Sequence, residues 1–308
     1  MRFLIIGCGS AGERHTKNLL SLGQEVFVFD KDLVRAQRLV DTYGVSIYDF
    51  KSHHLPIAAF VIATPPNYHI PFAFEALRHD SHIFIEKPIS NSLDRVDELI
   101  TLAKKQDKII QVGYQLRFNP GLMLVKKILD EGKIGRLLSI RAEFGFYLPY
   151  WHHSEDYRNL YTCYESQGGG IILDSSHEID YVRWLTGSEV TQVSCFADKL
   201  SNLEVDVEDT AEINLKFESG AIGNIHVDFI QRDYIRSCKL IGEEDTIGWK
   251  LSQYEKDSNI PYLEEMRHFI SCIENHENPL VNAETGKRVL EIALAAKQSA
   301  RENKVIGV

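Results

Sequence analysis

Three groups of residues in this chain have the types and spacings that chemistry needs. The first is Gly7-x-Gly9-x-x-Gly12, with Asp30 18 residues beyond Gly12. Glycines so spaced let the backbone turn tightly, approach a pyrophosphate and pack a helix against a strand. An acid about twenty residues on accepts hydrogen bonds from ribose hydroxyls. The second is Lys87, fixed between Glu86 and Pro88. A cation at a strand end can stabilise negative charge developing on an oxygen, although most lysines are simply solvated. The third is Asp174, His177 and Asp180, which step by three. Residues so spaced share a helix face, and a histidine there can exchange a proton near neutral pH. Its alternative is a core histidine satisfied by Asp180.

These residues need elements to hold them. The apolar run at residues 2–6 leads into the glycines as a strand, and residues 11–22 follow as a helix. That helix offers free N–H groups and the positive end of its dipole to phosphates. A second strand over Glu25-Val26-Phe27-Val28-Phe29 ends in Asp30. Residues 32–43 read as a helix stopped by Gly44, followed by a short strand at residues 45–47. Residues 57–63 form a continuous apolar run, as in a parallel strand buried on both faces. It stops at Thr64-Pro65-Pro66-Asn67, where the prolines forbid further strand pairing. A helix over residues 71–79 leads to a strand at residues 81–85 that ends in Glu86-Lys87-Pro88. Asn91 or Ser92 caps a helix reaching about residue 106, and a strand at residues 108–113 closes the series. Such alternation predicts an α/β fold with a doubly wound parallel sheet of Rossmann type. Ligands bind at the carboxyl ends of strands in these sheets, so Gly7, Asp30, Thr64 and Lys87 should line one crevice.

The second half changes character. A helix at residues 120–131 precedes strand-like runs at residues 137–147, 189–197, 209–217, 221–229 and 234–241. Turn signals such as Glu218-Ser219-Gly220 separate them. One buried-looking helix spans residues 170–185, and helices at residues 262–275 and 283–303 end the chain. The pattern predicts an α+β domain on a large open, mostly antiparallel sheet. Pro120 interrupts regular structure, which sets the expected domains at 1–118 and 119–308.

Composition bounds the rest. The 308 residues are 44% hydrophobic and 25% charged, as in a soluble globular protein. A net charge of -10 argues against a nucleic-acid partner, which requires a basic face. Cys8, Cys163, Cys195, Cys238 and Cys272 are scattered, without metal or disulfide spacing. The pairs His53-His54 and His152-His153 have no ligand spacing either, so no metal is expected. With a strand at the N-terminus and no long apolar run, neither a signal peptide nor a membrane span is expected. A reducing cytoplasm is the simplest home.

Five motifs occur in order: the glycine fingerprint, Ala63-Thr64-Pro65-Pro66-Asn67-x-His69, Glu86-Lys87-Pro88, Gly113-Tyr114-x-x-Arg117-Phe118-x-Pro120, and Gly168-Gly169-Gly170-x-x-x-Asp174-x-x-His177-x-x-Asp180. Through them the chain resembles, over nearly its whole length, the Gfo/Idh/MocA oxidoreductases, named for glucose–fructose oxidoreductase and inositol dehydrogenase. The resemblance implies hydride transfer between a nicotinamide cofactor and a hydroxyl-bearing carbon, usually of a sugar or cyclitol. It implies a cofactor site built from Gly7, Gly9, Ser10, Ala11, Gly12, Asp30, Thr64, Pro65, Asn67, His69, Glu86 and Lys87. It further implies Lys87 as the cation at the alkoxide and His177 as base or acid, with Asp174 beside it. Asp174 precedes His177 by three positions, where inositol-dehydrogenase-like members have four, so its role transfers less directly. Asp30 favours NAD over NADP, because a carboxylate repels a 2′-phosphate; Lys31 next to it softens that repulsion.

Substrate contact is expected from Tyr114, Arg117, Trp151, Arg158 and His177. The stretch 144–164 is rich in aromatics that can stack on a base or a sugar face. Arg158, with Arg117 and Arg183, can pair with phosphate or carboxylate. The expected substrate is therefore a nucleotide sugar or sugar acid, and the segment Trp151-His152-x-x-Glu155-Asp156-Tyr157-Arg158 resembles family members of bacterial surface-sugar pathways, which implies a place in surface-glycan synthesis. The alternatives are an inositol or free-sugar dehydrogenase and a non-catalytic NAD-binding regulator. An open apolar sheet face supplied by Val193, Ile213, Leu215, Ile222 and Ile225 predicts a homodimer or homotetramer.

Overall fold

The computed structural model describes residues 1–51, 55–151, 155–251 and 258–308. The first half contains β1 (Arg2–Ile6), α1 (Ser10–Ser21), β2 (Glu25–Phe29), α2 (Leu33–Tyr43), β3 (Ser46–Ile47), β4 (Ala59–Ile62), α3 (His69–Arg78), β5 (His82–Glu86), α4 (Val96–Lys105) and β6 (Ile110–Gly113). Its six strands are all parallel and ordered β3-β2-β1-β4-β5-β6. The strands are almost wholly apolar because both faces are covered; Phe3, Leu4, Ile5, Val28, Phe60, Val61 and Phe84 are all fully buried. Strand order reverses where β1 meets β4, the position at which such sheets open a crevice at their carboxyl edge. Gly7, Asp30, Thr64, Lys87 and Tyr114 all follow strands on that edge.

Local signals set the ends of some helices. Asp32 caps α2 by accepting the Val34 N–H at 3.0 Å, and Gly44 ends it with φ of 68°. The expected start of α4 at Asn91 or Ser92 is not where the helix begins. Arg95 stands before it with φ of 59°. Its guanidinium lies 4.0 Å from the Phe74 ring centroid and pairs with Glu98, which holds the break in place.

The second half contains α5 (Pro120–Asp130), β7 (Leu137–Tyr147), α6 (Ile171–Asp174), α7 (Ser176–Thr186), β8 (Val190–Asp198), β9 (Thr210–Phe217), β10 (Ile222–Asp228), β11 (Ile230–Gly242), β12 (Thr246–Lys250), α8 (Ile260–Asn275), α9 (Ala283–Glu302) and β13 (Ile306–Gly307). Asn119 caps α5 and Pro120 opens it, the arrangement that the sequence marked as a boundary. The second sheet runs β12-β11-β7-β10-β9-β8-β13. Among the described residues only β7 and β10 are parallel neighbours in it. The short edge strands β12 and β13 were not expected from sequence, since their pairing with β11 and β8 rests on distant partners.

Two expectations are corrected here. The helix expected over residues 170–185 is two helices, broken at Ser175 (φ -94°, ψ 25°). The sheet residues expected on an open apolar face are mostly core: Val193, Ile213, Leu215 and Ile225 are at most 1% exposed, and only Ile222 stands out at 59%. Alternation places Ala211, Ile213, Leu215 and Phe217 of β9 inward and Glu212, Asn214 and Lys216 outward. Across the sheet Phe196, Glu212, His226 and Glu143 then form one outward row. The open face is therefore largely polar.

The chain divides into two compact units, residues 1–115 with 262–287 and residues 116–261 with 288–308. A single boundary at residue 118 leaves α8 with the second unit, whereas α8 packs in the first. Phe269 on α8 lies edge-on to Phe3 and Phe84, with centroids 6.5 and 5.7 Å away. Met266, Ile270 and Ile273 join the same core. Truncating such an aromatic costs about 3–5 kcal/mol.

Candidate active site and cofactor edge

The turn after β1 tolerates only glycine at two positions. Gly7 has φ of +96°, and a Cβ there would lie 2.6 Å from the Ala63 carbonyl oxygen. A Cβ on Gly12 would lie 1.8 Å from the Gly7 carbonyl oxygen. This close approach brings the start of α1 against β1, with Gly9 as N-cap and Ser10 and Ala11 as its first residues. Asp30 ties the turn to α2. One carboxylate oxygen accepts the Cys8 N–H at 2.7 Å and the other accepts the Asp32 N–H at 2.9 Å.

The loop after β4 carries two buried polar atoms that have no hydrogen-bond partner among the described residues, Thr64 Oγ1 and Asn67 Oδ1. Buried polar atoms in native structures are nearly always satisfied. A ligand lying along this edge would satisfy them, so these residues, the glycine turn and Asp30 fit a dinucleotide. Pro65 precedes the short 3₁₀ turn Pro66–Tyr68. His69, expected at the cofactor, braces the loops after β4 and β5. Its ring nitrogens lie 2.9 Å from the Pro88 oxygen and 2.8 Å from the Thr64 oxygen. Burial pushes its pKa down, against the carbonyls and Glu86, which favour the proton. A neutral ring then donates to one of the two carbonyls, as its tautomer dictates.

Lys87 follows β5, and its backbone is tied down on both sides. Glu86 Oε2 accepts the Lys87 N–H at 3.2 Å, while Glu86 Oε1 lies 2.6 Å from His15 Nε2. Burial pushes the Glu86 pKa up, but His15 and Lys87 together outweigh it and hold the carboxyl below its usual range. Glu86 thus supports Lys87 from beneath, and His15, fully buried on α1, supports Glu86. His15 was not singled out from sequence. It lies three residues after Gly12, but only the tertiary pairing with Glu86 gives it meaning. Tyr114, after β6, is fully buried.

In the second unit, α7 is buried on all sides from Ser176 to Val182. His177 is 5% exposed there. Asp174 belongs to α6 and accepts the Tyr161 hydroxyl at 3.0 Å, so it shares no continuous helix stripe with His177. Asp180 is gripped by an arginine. It takes a two-point contact from Arg117 at 2.8 and 2.7 Å, with both groups buried. Glu178, fully buried, takes Arg236 at 2.9 and 3.4 Å. Buried carboxylates are tolerable only when paired in this way.

The cations expected at a substrate each have a carboxylate partner. Arg117 is committed to Asp180. Arg158 forks onto Asp156 and reaches Glu204 at 3.2 Å, and Arg183 pairs with Glu189. Asp156 is held down to about 2 by Arg158. Trp151 is half-buried in an aromatic cluster, 4.3 Å from Phe146 and stacked at 16° on Tyr234. His53, His54, His152 and His153 lie outside the described residues.

Residues 1–114 match the oxidoreductase family with an NAD-binding Rossmann fold, and residues 122–248 match the GFO/IDH/MocA C-terminal domain. Myo-inositol 2-dehydrogenase of Thermotoga maritima is 28% identical, with 99% of this chain and 98% of the relative aligned. The scyllo-inositol 2-dehydrogenase (NAD(+)) of Bacillus subtilis is 27% identical over 98% of this chain and 94% of its own length. A crystal structure of a probable dehydrogenase from Thermotoga maritima superposes with a TM-score of 0.87 at 25% identity, covering 100% of this chain and 98% of the other.

Proposed function

The chain belongs to the Gfo/Idh/MocA oxidoreductase family and carries its NAD-binding Rossmann fold, and from that premise we propose that it oxidises a secondary hydroxyl of an uncharged polyol, a sugar or cyclitol. The observation that carries this reading is Lys87 at the carboxyl end of β5, supported by Glu86 on the strand edge that also bears the glycine turn, Asp30 and Thr64. Bound NAD supplies the hydride acceptor. Gly7, Gly9 and Gly12 with the start of α1 receive its pyrophosphate. Each Asp30 oxygen already accepts one backbone N–H and retains a lone pair for a ribose hydroxyl. The same carboxylate disfavours a 2′-phosphate, so NAD is preferred over NADP. The Lys87 ammonium stabilises the alkoxide as the hydroxyl ionises, and His177 takes the proton.

The choice of an uncharged substrate rests on the arginines. Arg117, Arg158 and Arg183 each have a carboxylate partner, so they give no support to an anion site. A nucleotide sugar or sugar acid remains the competing substrate, with the aromatic stretch around Trp151 as its support. Self-association into a dimer or tetramer through the second sheet, and a cytoplasmic location in keeping with five free, buried cysteines, belong to the same proposal.

The test begins with fluorescence titration of the protein with NAD and NADP. Turnover is then measured on inositols, free sugars, sugar acids and nucleotide sugars. Tighter NAD binding and fastest turnover on an uncharged polyol, unchanged in Arg158→Ala, are expected. Preference for a nucleotide sugar that disappears in Arg158→Ala would overturn the substrate assignment. Tight NAD binding with no turnover on any class would favour the non-catalytic regulator.

A further inference from the structure

We propose that Glu178 and Arg236, together with Asp180 and Arg117, are positioning residues that fix the rotation of α7 and so aim His177. The proposal rests on the reading of His177 as the proton acceptor. Successive helical residues turn by about 100°, so Glu178 lies ~100° to one side of His177 and Asp180 ~60° to the other. Each carboxylate meets a different arginine. Arg236 comes from β11 and contacts Glu178 through two nitrogens at 2.9 and 3.4 Å. Arg117 comes from the 3₁₀ turn Gln115–Phe118 and contacts Asp180 at 2.8 and 2.7 Å.

Both arginines also lie over aromatic rings. Arg236 lies 3.7 Å from the Phe144 ring centroid, and Arg117 lies 5.2 Å from that of Trp184. A planar guanidinium gripping a carboxylate by two nitrogens sets direction as well as distance. Two such grips on opposite sides of one helix leave it no freedom to roll. Residues 176–182 of α7 are buried, and dispersion contacts, unlike a two-point hydrogen-bonded fork, prescribe no angle of their own. Buried ion pairs add little net stability over apolar side chains of equal volume. These two are therefore better explained by the orientation they impose than by the stability they add. Neither Glu178 nor Arg236 contacts the reacting atoms in this scheme; both act through His177.

The test uses the full chain loaded with NAD and the best polyol from the substrate panel. Glu178→Gln combined with Arg236→Met removes both charges, so no buried charge is left alone. Displacement of a catalytic group by about an ångström costs on the order of 10²-fold. The double variant should therefore lose about 10- to 100-fold in kcat per folded molecule, with KM for the polyol and Kd for NAD nearly unchanged. Arg236→Lys keeps the charge but not the fork, so it should fall between wild type and the double variant. It also supplies the readout if the double variant does not fold. A role in stability alone predicts a lower Tm with unchanged kcat in folded protein, and that result would overturn the proposal. His177→Ala is measured alongside. If it is inactive while the double variant is normal, only the positioning role falls. If His177→Ala keeps native turnover, the assignment of His177 falls and the positioning role with it.

Discussion

Lys87 is fixed from the backbone side. Its N–H is bonded to Glu86, Glu86 is bonded to His15, and the Pro88 carbonyl is bonded to His69. Two buried histidines and the part-buried Glu86 thus hold a short stretch of loop from which the Lys87 side chain departs. Such support makes the position depend on the charge at the tip, because the backbone will not rearrange to bring another group there. Lys87→Ala should accordingly lose about 10²–10⁴ in kcat, while NAD affinity by fluorescence titration stays within about twofold. Lys87→Arg should recover little of the loss, since a planar guanidinium does not replace a compact ammonium. Native turnover in the alanine variant would remove Lys87 from the mechanism.

At the level of elements, the open face of the second sheet shows how pairing replaces apolar burial. His226 on β10 lies 2.7 Å from Glu212 on β9 and 2.9 Å from Asp228. The hydrogen bond to Asp228 is the main reason that its pKa is raised to about 9; Glu212 adds to this and burial opposes it. Asp228, pushed up by burial, is brought below its usual range by His226, Gln231 and backbone N–H groups. The sign for the histidine follows from linkage. The folded ring binds its proton more tightly than the unfolded ring, whose pKa is near 6.5. Its contribution is complete below that value and is lost as pH rises towards about 9. The Asp228 contribution runs the other way, being present above the ordinary carboxylate pKa and lost in acid. Wild-type Tm should therefore decline between neutral pH and about 9, and His226→Gln should flatten that decline. Superimposable Tm–pH curves for the two proteins would show that the cluster contributes nothing.

At the scale of the molecule, the outward face of that sheet bears on assembly. Alternation buries Val193, Ile213, Leu215 and Ile225, leaving Phe196 at 76% exposure and Ile222 at 59% as apolar islands among polar residues. Cross-strand rows such as Glu212–His226–Glu143 present charge and hydrogen-bonding groups on this face, where the proposed self-association would use them. Self-association through this face should then be weakened by Phe196→Asp and should depend on salt, because its polar rows are screened. Sedimentation velocity at micromolar concentration reads both effects. A monomer under all conditions would refute assembly, and an oligomer indifferent to Phe196→Asp would place the contact elsewhere. Among the described residues no helix is long and apolar enough to cross a membrane.

The sequence by itself determined the Rossmann half almost strand for strand. Its signals are local: buried parallel strands are continuous apolar runs, and glycine spacing encodes a turn only glycine can make. The same local logic placed Asp30, Thr64 and Lys87 on one edge. The period-2 pattern also found the main strands of the second sheet, but not which face would be covered, because alternation names two faces without saying which one meets the helices. Tertiary structure alone decided the partners of charged groups. Arg117 and Asp180 are 63 residues apart, and Glu178 and Arg236 are 58 apart. An arginine that meets a substrate and one that meets a buried carboxylate look alike in sequence. Likewise α8 carries nothing in its own residues to say which unit it joins; the position of Phe269 against Phe3 and Phe84 settles that. Local propensity and period write the elements, while charge partners and the choice of packing surface are pairwise properties of residues far apart in the chain, and these only the folded molecule decides.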